Sequence, residues 1–247
     1  MNALKRVRIL NANALKFLAA AFMLVDHIGL IFFPQELLWR IVGRLSMPLF
    51  AFALSEGCRY TKNKTKHFFF LFALAVFCQI VYYFFDDGNL YMSILVTFSL
   101  SVLTIYSLQF FKKTLFAEHT DSLDKGLSFA LFATVVFCDY ALCKTLTMDY
   151  GFWGIMLPVF ASIFDFRGIP APTFLQKLDC LPARVFSLSL GLIFLAFSFG
   201  GIEFYAFLAI PILLLYNGEK GKWKTKYFFY IFYPLHLALL QGIFMFL

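Results

Sequence analysis

Charged side chains are scarce in this chain. Asp, Glu, Lys and Arg make up 14% of its 247 residues, against about a quarter in an ordinary soluble protein. So few charges cannot clothe a water-facing surface around the 62% of residues that are hydrophobic, and a mean hydropathy of +0.80 points to lipid as the solvent. Five cysteines occur, Cys58, Cys78, Cys138, Cys143 and Cys180. None forms a CxxC pair and most lie inside apolar runs, so they read as packing residues. HExxH and clustered acidic motifs are missing, and we expect no metal. Without GxGxxG or a P-loop, phosphate recognition by a Gly-rich loop of that kind is excluded. The internal repeats that many transporters carry are also missing. A net charge of +7 would suggest a nucleic-acid partner in a soluble protein. Here the basic residues fall in alternate loops, which gives the charge a topological meaning and argues for no nucleic acid.

What the chain does have is apolar runs. A spanning helix needs about 20 apolar residues. Runs bounded by charged or turn-forming clusters fall at 13–33, 39–58, 67–85, 90–110, 127–144, 150–166, 184–199, 202–216 and 226–246. They predict an all-α, polytopic integral membrane helix bundle of about nine transmembrane helices, a single domain over residues 1–247. The first run follows a basic start like that of a signal peptide, but it is long, carries Asp26-His27 and lacks a clear cleavage site, so it reads as a retained span. One set of loops holds Lys5, Arg6 and Arg8, then Arg59, Lys62, Lys64 and Lys66, then Lys112, Lys113 and Lys125, then Arg167, Lys177 and Arg184, then Lys220, Lys222, Lys224 and Lys226, which is 17 of the 21 basic residues. The other set holds Arg40 and Lys144 beside Glu36, Asp86, Asp87, Asp149 and Glu203. By the positive-inside rule the first set is cytoplasmic, which places the N-terminus inside and the C-terminus outside.

Several polar groups fall within the spans: Asp26 and His27 in the first, Arg44 and Glu56 in the second, Asp139 in the fifth and His236 in the ninth. A charge near the bilayer centre costs roughly 2.5–3.5 kcal/mol on insertion scales, so these groups pair with one another or face a polar cavity. Arg44 pairing with Asp26 or Asp139 to staple helices is the plainest account. The loop charges put Asp26, His27, Arg40 and Arg44 in the outer half, Asp149 at an outer mouth and His236 near mid-depth. Successive helical residues diverge by about 100°, so Asp26 meets a neighbouring helix or an acceptor group while His27 faces the cavity. Arg40 and Arg44, four apart, share a face suited to holding a carboxylate or carbonyl between them. Pro48 cannot donate to the carbonyl of residue 44 and predicts a kink there. Gly29 and Gly43 leave room for close helix approach. His67 and His119, at cytoplasmic ends or in a loop, are explained by snorkelling or solvation.

Four segments, LKFLAAAFMLVDHIGLIFF, WRIVGRLSMPLFAFALSEG, DYGFWGIMLP and YFFYIFYPLHLALL, in this order and spacing over residues 15–240, resemble the TraX family of bacterial membrane proteins. TraX is named for acetylation of the N-terminus of conjugative pilin, and its members are similar to the broader transmembrane acyltransferases that use acetyl-CoA. The resemblance places the family's Asp-His pair on Asp26 and His27, its Gly-Arg on Gly43 and Arg44, its Asp-Tyr-Gly on Asp149, Tyr150 and Gly151, and its Tyr-Pro-x-His on Tyr233, Pro234 and His236. Where the family pattern has Asn and a following Phe-Thr, this chain has Ser93 and Val96-Thr97, a departure that bears on acceptor specificity.

The resemblance implies an acetyltransferase of the bacterial cytoplasmic membrane that moves acetyl from cytoplasmic acetyl-CoA to an amine or hydroxyl outside, on a pilin-like peptide or glycan. His27, with a reference pKa near neutrality, is the expected base. Asp26 is its orienter or an amine-binding anion, and Arg44 stabilises oxyanion charge or holds a carboxylate. Arg40, Asp149, Tyr150, Tyr233 and His236 are the expected substrate contacts, His236 serving either as a polar contact or as a helix-to-helix hydrogen bond. The phosphates of acetyl-CoA cannot enter lipid, so basic residues at cytoplasmic mouths, Lys16, Arg59, Lys62 and Arg167, are donor-site candidates. Glu56 pairs with one of these or contacts the adenine side. The competing readings are a proton-coupled small-solute transporter using Asp26, His27 and Asp139 as a relay, and a non-catalytic membrane scaffold for surface appendages.

Overall fold

The computed structural model describes residues 8–85, 91–222 and 226–245. Lys5, Arg6, Asp86, Asp87 and Lys224, used above to orient the loops, lie outside the described residues. Helices follow in the order α1 (Ala12–Phe32), α2 (Leu37–Gly43), α3 (Ser46–Tyr60), α4 (Lys64–Phe85), α5 (Ile94–Phe116), α6 (Ser122–Thr145), α7 (Gly151–Ala161), α8 (Thr173–Leu178) and α9 (Leu181–Phe199). A 3-10 helix (Gly201–Leu208), α10 (Ala209–Leu214) and α11 (Lys226–Met245) complete them. Among the described residues no strand forms; two isolated parallel bridges, Leu10 with Tyr216 and Met92 with Met148, tie loops together.

Six helical segments among the described residues are long and apolar enough to cross a membrane: Ala12–Phe32, Leu37–Tyr60, Lys64–Val81, Ile94–Phe116, Ser122–Thr145 and Leu181–Phe199. Shorter apolar helices lie at Gly151–Ala161, Gly201–Leu214 and Ile231–Met245. The protein is therefore a multi-pass, all-helical membrane-type chain. Two of the predicted runs are less regular than their hydropathy suggests. The run at 150–166 is helical only to Ala161, and the run at 202–216 opens as a 3-10 helix.

The chain divides into two compact units, Met1–Ala53 with Leu192–Leu247, and Leu54–Gly191. In the first, α1 packs on α2 and α11, and α2 packs on the 3-10 helix. Asn11 starts α1 by accepting from the Ala14 N–H at 3.0 Å, satisfying one of the orphan donors of the first turn. Gly29 lets the Trp39 side chain lie directly on the α1 backbone, where any Cβ would collide with it. Leu15, Ala19, Leu49, Phe52 and Leu213 are fully buried. The predicted interruption near Pro48 is a break at Arg44–Leu45 between α2 and α3. It falls one turn ahead of the proline because Pro48 offers no N–H to the carbonyl four residues back.

In the second unit α5 packs against α4, α6 and α7. Small hydroxyl residues make that approach possible. The single hydroxyl hydrogen of Ser101 is shared between the Thr97 carbonyl of its own helix and the Ile155 carbonyl of α7, at 2.9 and 2.8 Å. The outer faces of α4 and α6 leave Phe69, Phe72, Phe77, Phe129 and Phe137 exposed, as surfaces solvated by lipid require.

Candidate functional site

Adjacent positions on α1 point about 100° apart, and the first unit uses both directions. Asp26 faces α2. Its Oδ2 accepts from Arg40 Nη1 at 2.8 Å, and Arg44 Nη2 reaches Oδ1 at 3.0 Å and Oδ2 at 3.1 Å. The opposite edge of the same guanidinium, Arg44 Nη1, donates to Glu203 Oε1 at 2.5 Å. Two arginines and two carboxylates thus form a formally neutral cluster, and Arg44 is only 7% exposed within it. Gly43 is the clearance that allows it, since a Cβ there would occupy the space of the Asp26 carboxylate. Arg40 and Arg44 hold a carboxylate between them, as their spacing suggested, and that carboxylate is Asp26.

His27 points toward α11 instead. Its Nδ1 lies 2.8 Å from the Met23 carbonyl. On α11, His236 Nδ1 lies 2.8 Å from the Phe232 carbonyl. A carbonyl can only accept, so in each ring Nδ1 carries a hydrogen, and in the neutral imidazole Nε2 then presents a lone pair. The two rings meet edge to face with centroids 5.0 Å apart. His236 stacks on Phe232 at 4.9 Å, with Tyr233 5.8 Å away. His236 is buried and its Nε2 has no hydrogen-bond partner.

The structure thus gathers His27, Asp26, Arg40, Arg44, Tyr233 and His236 in the first unit, and Lys16 lies half-buried on α1 of the same unit. Asp149 and Tyr150 belong to the second unit. Tyr150 adopts a left-handed φ of 57° just ahead of α7. Tyr91 donates to the Asp149 carboxylate at 3.2 Å, and Thr97 donates to the Asp149 carbonyl at 2.9 Å. Asp139, offered above as a partner for Arg44, is in the second unit and accepts from Thr104 at 2.5 Å; the partners that Arg44 takes are Asp26 and Glu203. His67 is not simply solvated, because its Nδ1 is 2.6 Å from the Tyr106 hydroxyl.

The expected donor-site residues of the second unit differ sharply in availability. Glu56 accepts from the buried Arg184, which also reaches Ser55 at 3.1 Å. Arg59 bridges Asp165 at 2.6 Å and Asp179 at 2.5 Å. Lys112 is buried and donates to the Ser162, Ile163 and Asp165 carbonyls at 2.9, 2.6 and 3.2 Å, in the turn that follows α7. Lys62 and Arg167 are exposed, and Arg167 lies over the Tyr60 ring at 4.3 Å. Among the described residues no three of His, Cys, Asp and Glu are placed to share a metal ion.

Sequence reasoning missed Glu203 as a member of the site, having assigned it to an outer loop. The available signal was its setting, an acid two residues after Gly200-Gly201 and within an apolar run.

A family model described as "TraX protein" matches residues 11–244. A probable fimbrial assembly protein of Dichelobacter nodosus is 26% identical over 263 aligned positions, covering 96% of this chain and 97% of that protein. An uncharacterized protein of Rickettsia prowazekii (strain Madrid E) is 35% identical over 82 positions, 33% of each chain. No solved structure matches.

Proposed function

The chain belongs to the TraX family, and from that premise we propose that it is a membrane-embedded acetyltransferase. It moves acetyl from acetyl-CoA, supplied from the cytoplasm, to an amine or hydroxyl on the other side of the bacterial cytoplasmic membrane. The observation that carries this reading is the contact of His27 Nδ1 with the Met23 carbonyl, which in the neutral ring orients the Nε2 lone pair, in the unit that also holds the arginine–carboxylate cluster. A lone pair held in one orientation can take the acceptor's proton as the acceptor attacks the thioester. Arg44, locked by Asp26 and Glu203, presents fixed positive potential where oxyanion charge develops, at no reorganisation cost. Asp26 acts here as the anchor of Arg40 and Arg44. The relative named for fimbrial assembly favours an appendage subunit as acceptor, in line with the pilin acetylation for which the family is named.

The loop charges support nine spans with the N-terminus inside and the C-terminus outside. In that orientation Asp26, His27, Arg40, Arg44 and Glu203 sit toward the outer face. Lys62 and Arg167, exposed and assigned to cytoplasmic loops by the same charge count, are the best candidates to meet the phosphates of CoA, because Arg59 already bridges two carboxylates.

The test uses the whole protein purified in detergent. A ligand that binds only the folded state stabilises it, by about 2.7 kcal/mol at 100 times its Kd, so CoA is expected to raise the melting temperature. A short peptide incubated with protein and acetyl-CoA is expected to gain one acetyl group by mass. A melting curve indifferent to CoA, together with an unmodified peptide, would refute the proposal and favour a transporter or scaffold.

A further inference from the structure

We propose that the trough between α6 and α7 binds one acyl chain of an anionic phospholipid, and that Lys144 at its outer end meets the phosphate of the headgroup. The site lies wholly in the second unit and is independent of acetyl transfer. Two helices of unequal length create it. α6 has 24 residues and α7 has 11, so at 1.5 Å per residue α7 falls about 20 Å short of its neighbour. Phe129, Ala133, Phe137 and Tyr140 recur at three- and four-residue spacing along one face of α6, and Phe152 and Met156, four apart on α7, form the facing wall. Tyr140 and Phe152 meet edge to face at the end toward Thr145, with ring centroids 5.6 Å apart. That end is the outer one by the loop charges. The trough holds about 530 Å³, within the roughly 300–1,000 Å³ of clefts that take small ligands.

Length and chemistry select the occupant. Phe129 and Tyr140 are about 16 Å apart in helix rise, which is about half of the roughly 30 Å hydrocarbon core and so the depth of one leaflet. A protein helix in lipid grips its neighbour through small residues and interhelical hydrogen bonds. Among the described residues this trough offers one alanine, and its one polar side-chain group is the Tyr140 hydroxyl at the end. A flexible acyl chain needs neither, because it conforms to the rings and gains dispersion contacts with each of them. Lys144 supplies the charge complement. It stands one turn beyond Tyr140, its ammonium 5.4 Å from the centre of that ring. It is exposed and makes no hydrogen bond or ion pair with any described residue. The loop charges put only Arg40 and Lys144 among the basic residues on the outer side, and Arg40 is taken by Asp26. An exposed cation above a tyrosine of the interfacial level is placed to attract a lipid phosphate.

The test uses the whole protein in detergent, with phosphatidylglycerol, phosphatidylcholine and inorganic phosphate added separately. Native mass spectrometry counts the bound lipid, and melting curves report its affinity. The wild type is expected to hold one phosphatidylglycerol about fivefold more tightly than phosphatidylcholine, the factor that one lysine near an anionic surface supplies. Inorganic phosphate should leave the melting curve unchanged. Ala133→Trp fills the trough from an exposed position, so it should melt like the wild type without lipid yet bind either lipid at least tenfold more weakly. Phe137→Ala removes a ring that is 68% exposed, leaves the fold intact and should weaken both lipids severalfold. Lys144→Gln should keep both lipids but lose the preference between them. Unchanged lipid binding in folded Ala133→Trp and Phe137→Ala overturns the trough as the seat of the chain. Equal binding of the two lipids by the wild type, or an unchanged preference in Lys144→Gln, overturns the headgroup contact. Stabilisation by inorganic phosphate alone overturns the acyl chain as the anchor.

Discussion

His27→Ala is expected to reduce acetyl transfer by roughly 10²–10⁴-fold, the usual scale for a lost acid-base group, while melting and CoA affinity stay near those of the wild type. The side chain makes one hydrogen bond within its own helix, from Nδ1 to Met23. The carbonyl it leaves keeps the ordinary backbone partner of a helical residue, and alanine is the best helix former. No charge is stranded, because Asp26 remains held by Arg40 and Arg44. The rate against pH should also change shape. Wild-type activity requires an unprotonated imidazole and should rise as pH climbs through the range where that ring loses its proton; the variant should show no such rise. Purified His27→Ala that binds CoA and transfers acetyl at the parental rate would remove His27 from the chemistry.

The helical architecture was legible because lipid imposes one rule on every span: a long apolar run with its backbone bonds satisfied internally. Each of the nine apolar runs read from the sequence overlaps a helix among the described residues, and six helical segments are long and apolar enough to cross a membrane. The Arg40–Arg44–Asp26 contact was legible for a related reason, since four-residue spacing puts both cations on one face and a buried acid needs a cation. Glu203 was not legible, because counting loop charges treats every acid near a turn as solvated, whereas here a 3-10 helix carries it into contact with Arg44. Arg184 and Lys112 misled in the same way. They entered the count as cytoplasmic loop charges, yet both are buried, one against Glu56 and the other on the carbonyls of the turn after α7. Charge statistics report which side of the membrane a residue is on. They do not report which acid or carbonyl the fold brings to it.

Arg44→Ala is expected to be costly in stability as well as rate. The guanidinium lies between two carboxylates, 3.0 Å from Asp26 and 2.5 Å from Glu203. Removing it leaves Asp26 with Arg40 alone and takes from Glu203 its ion pair. Breaking a buried pair by deleting one partner typically costs about 3–5 kcal/mol, because the surviving charge keeps its desolvation penalty. The loss should be smaller when the stranded acid is neutralised, so Arg44→Ala combined with Glu203→Gln should melt above Arg44→Ala alone. Arg44→Lys should fall between wild type and alanine, since it keeps the charge but not the planar fork that grips both acids at once. Neither the double variant nor Arg44→Lys should regain full activity if the fixed guanidinium stabilises the transition state. Melting curves and acetyl-transfer rates for the three proteins separate these effects. An Arg44→Ala protein that melts with the wild type, or a double variant no more stable than the single one, would show that the cluster is not held together by Arg44.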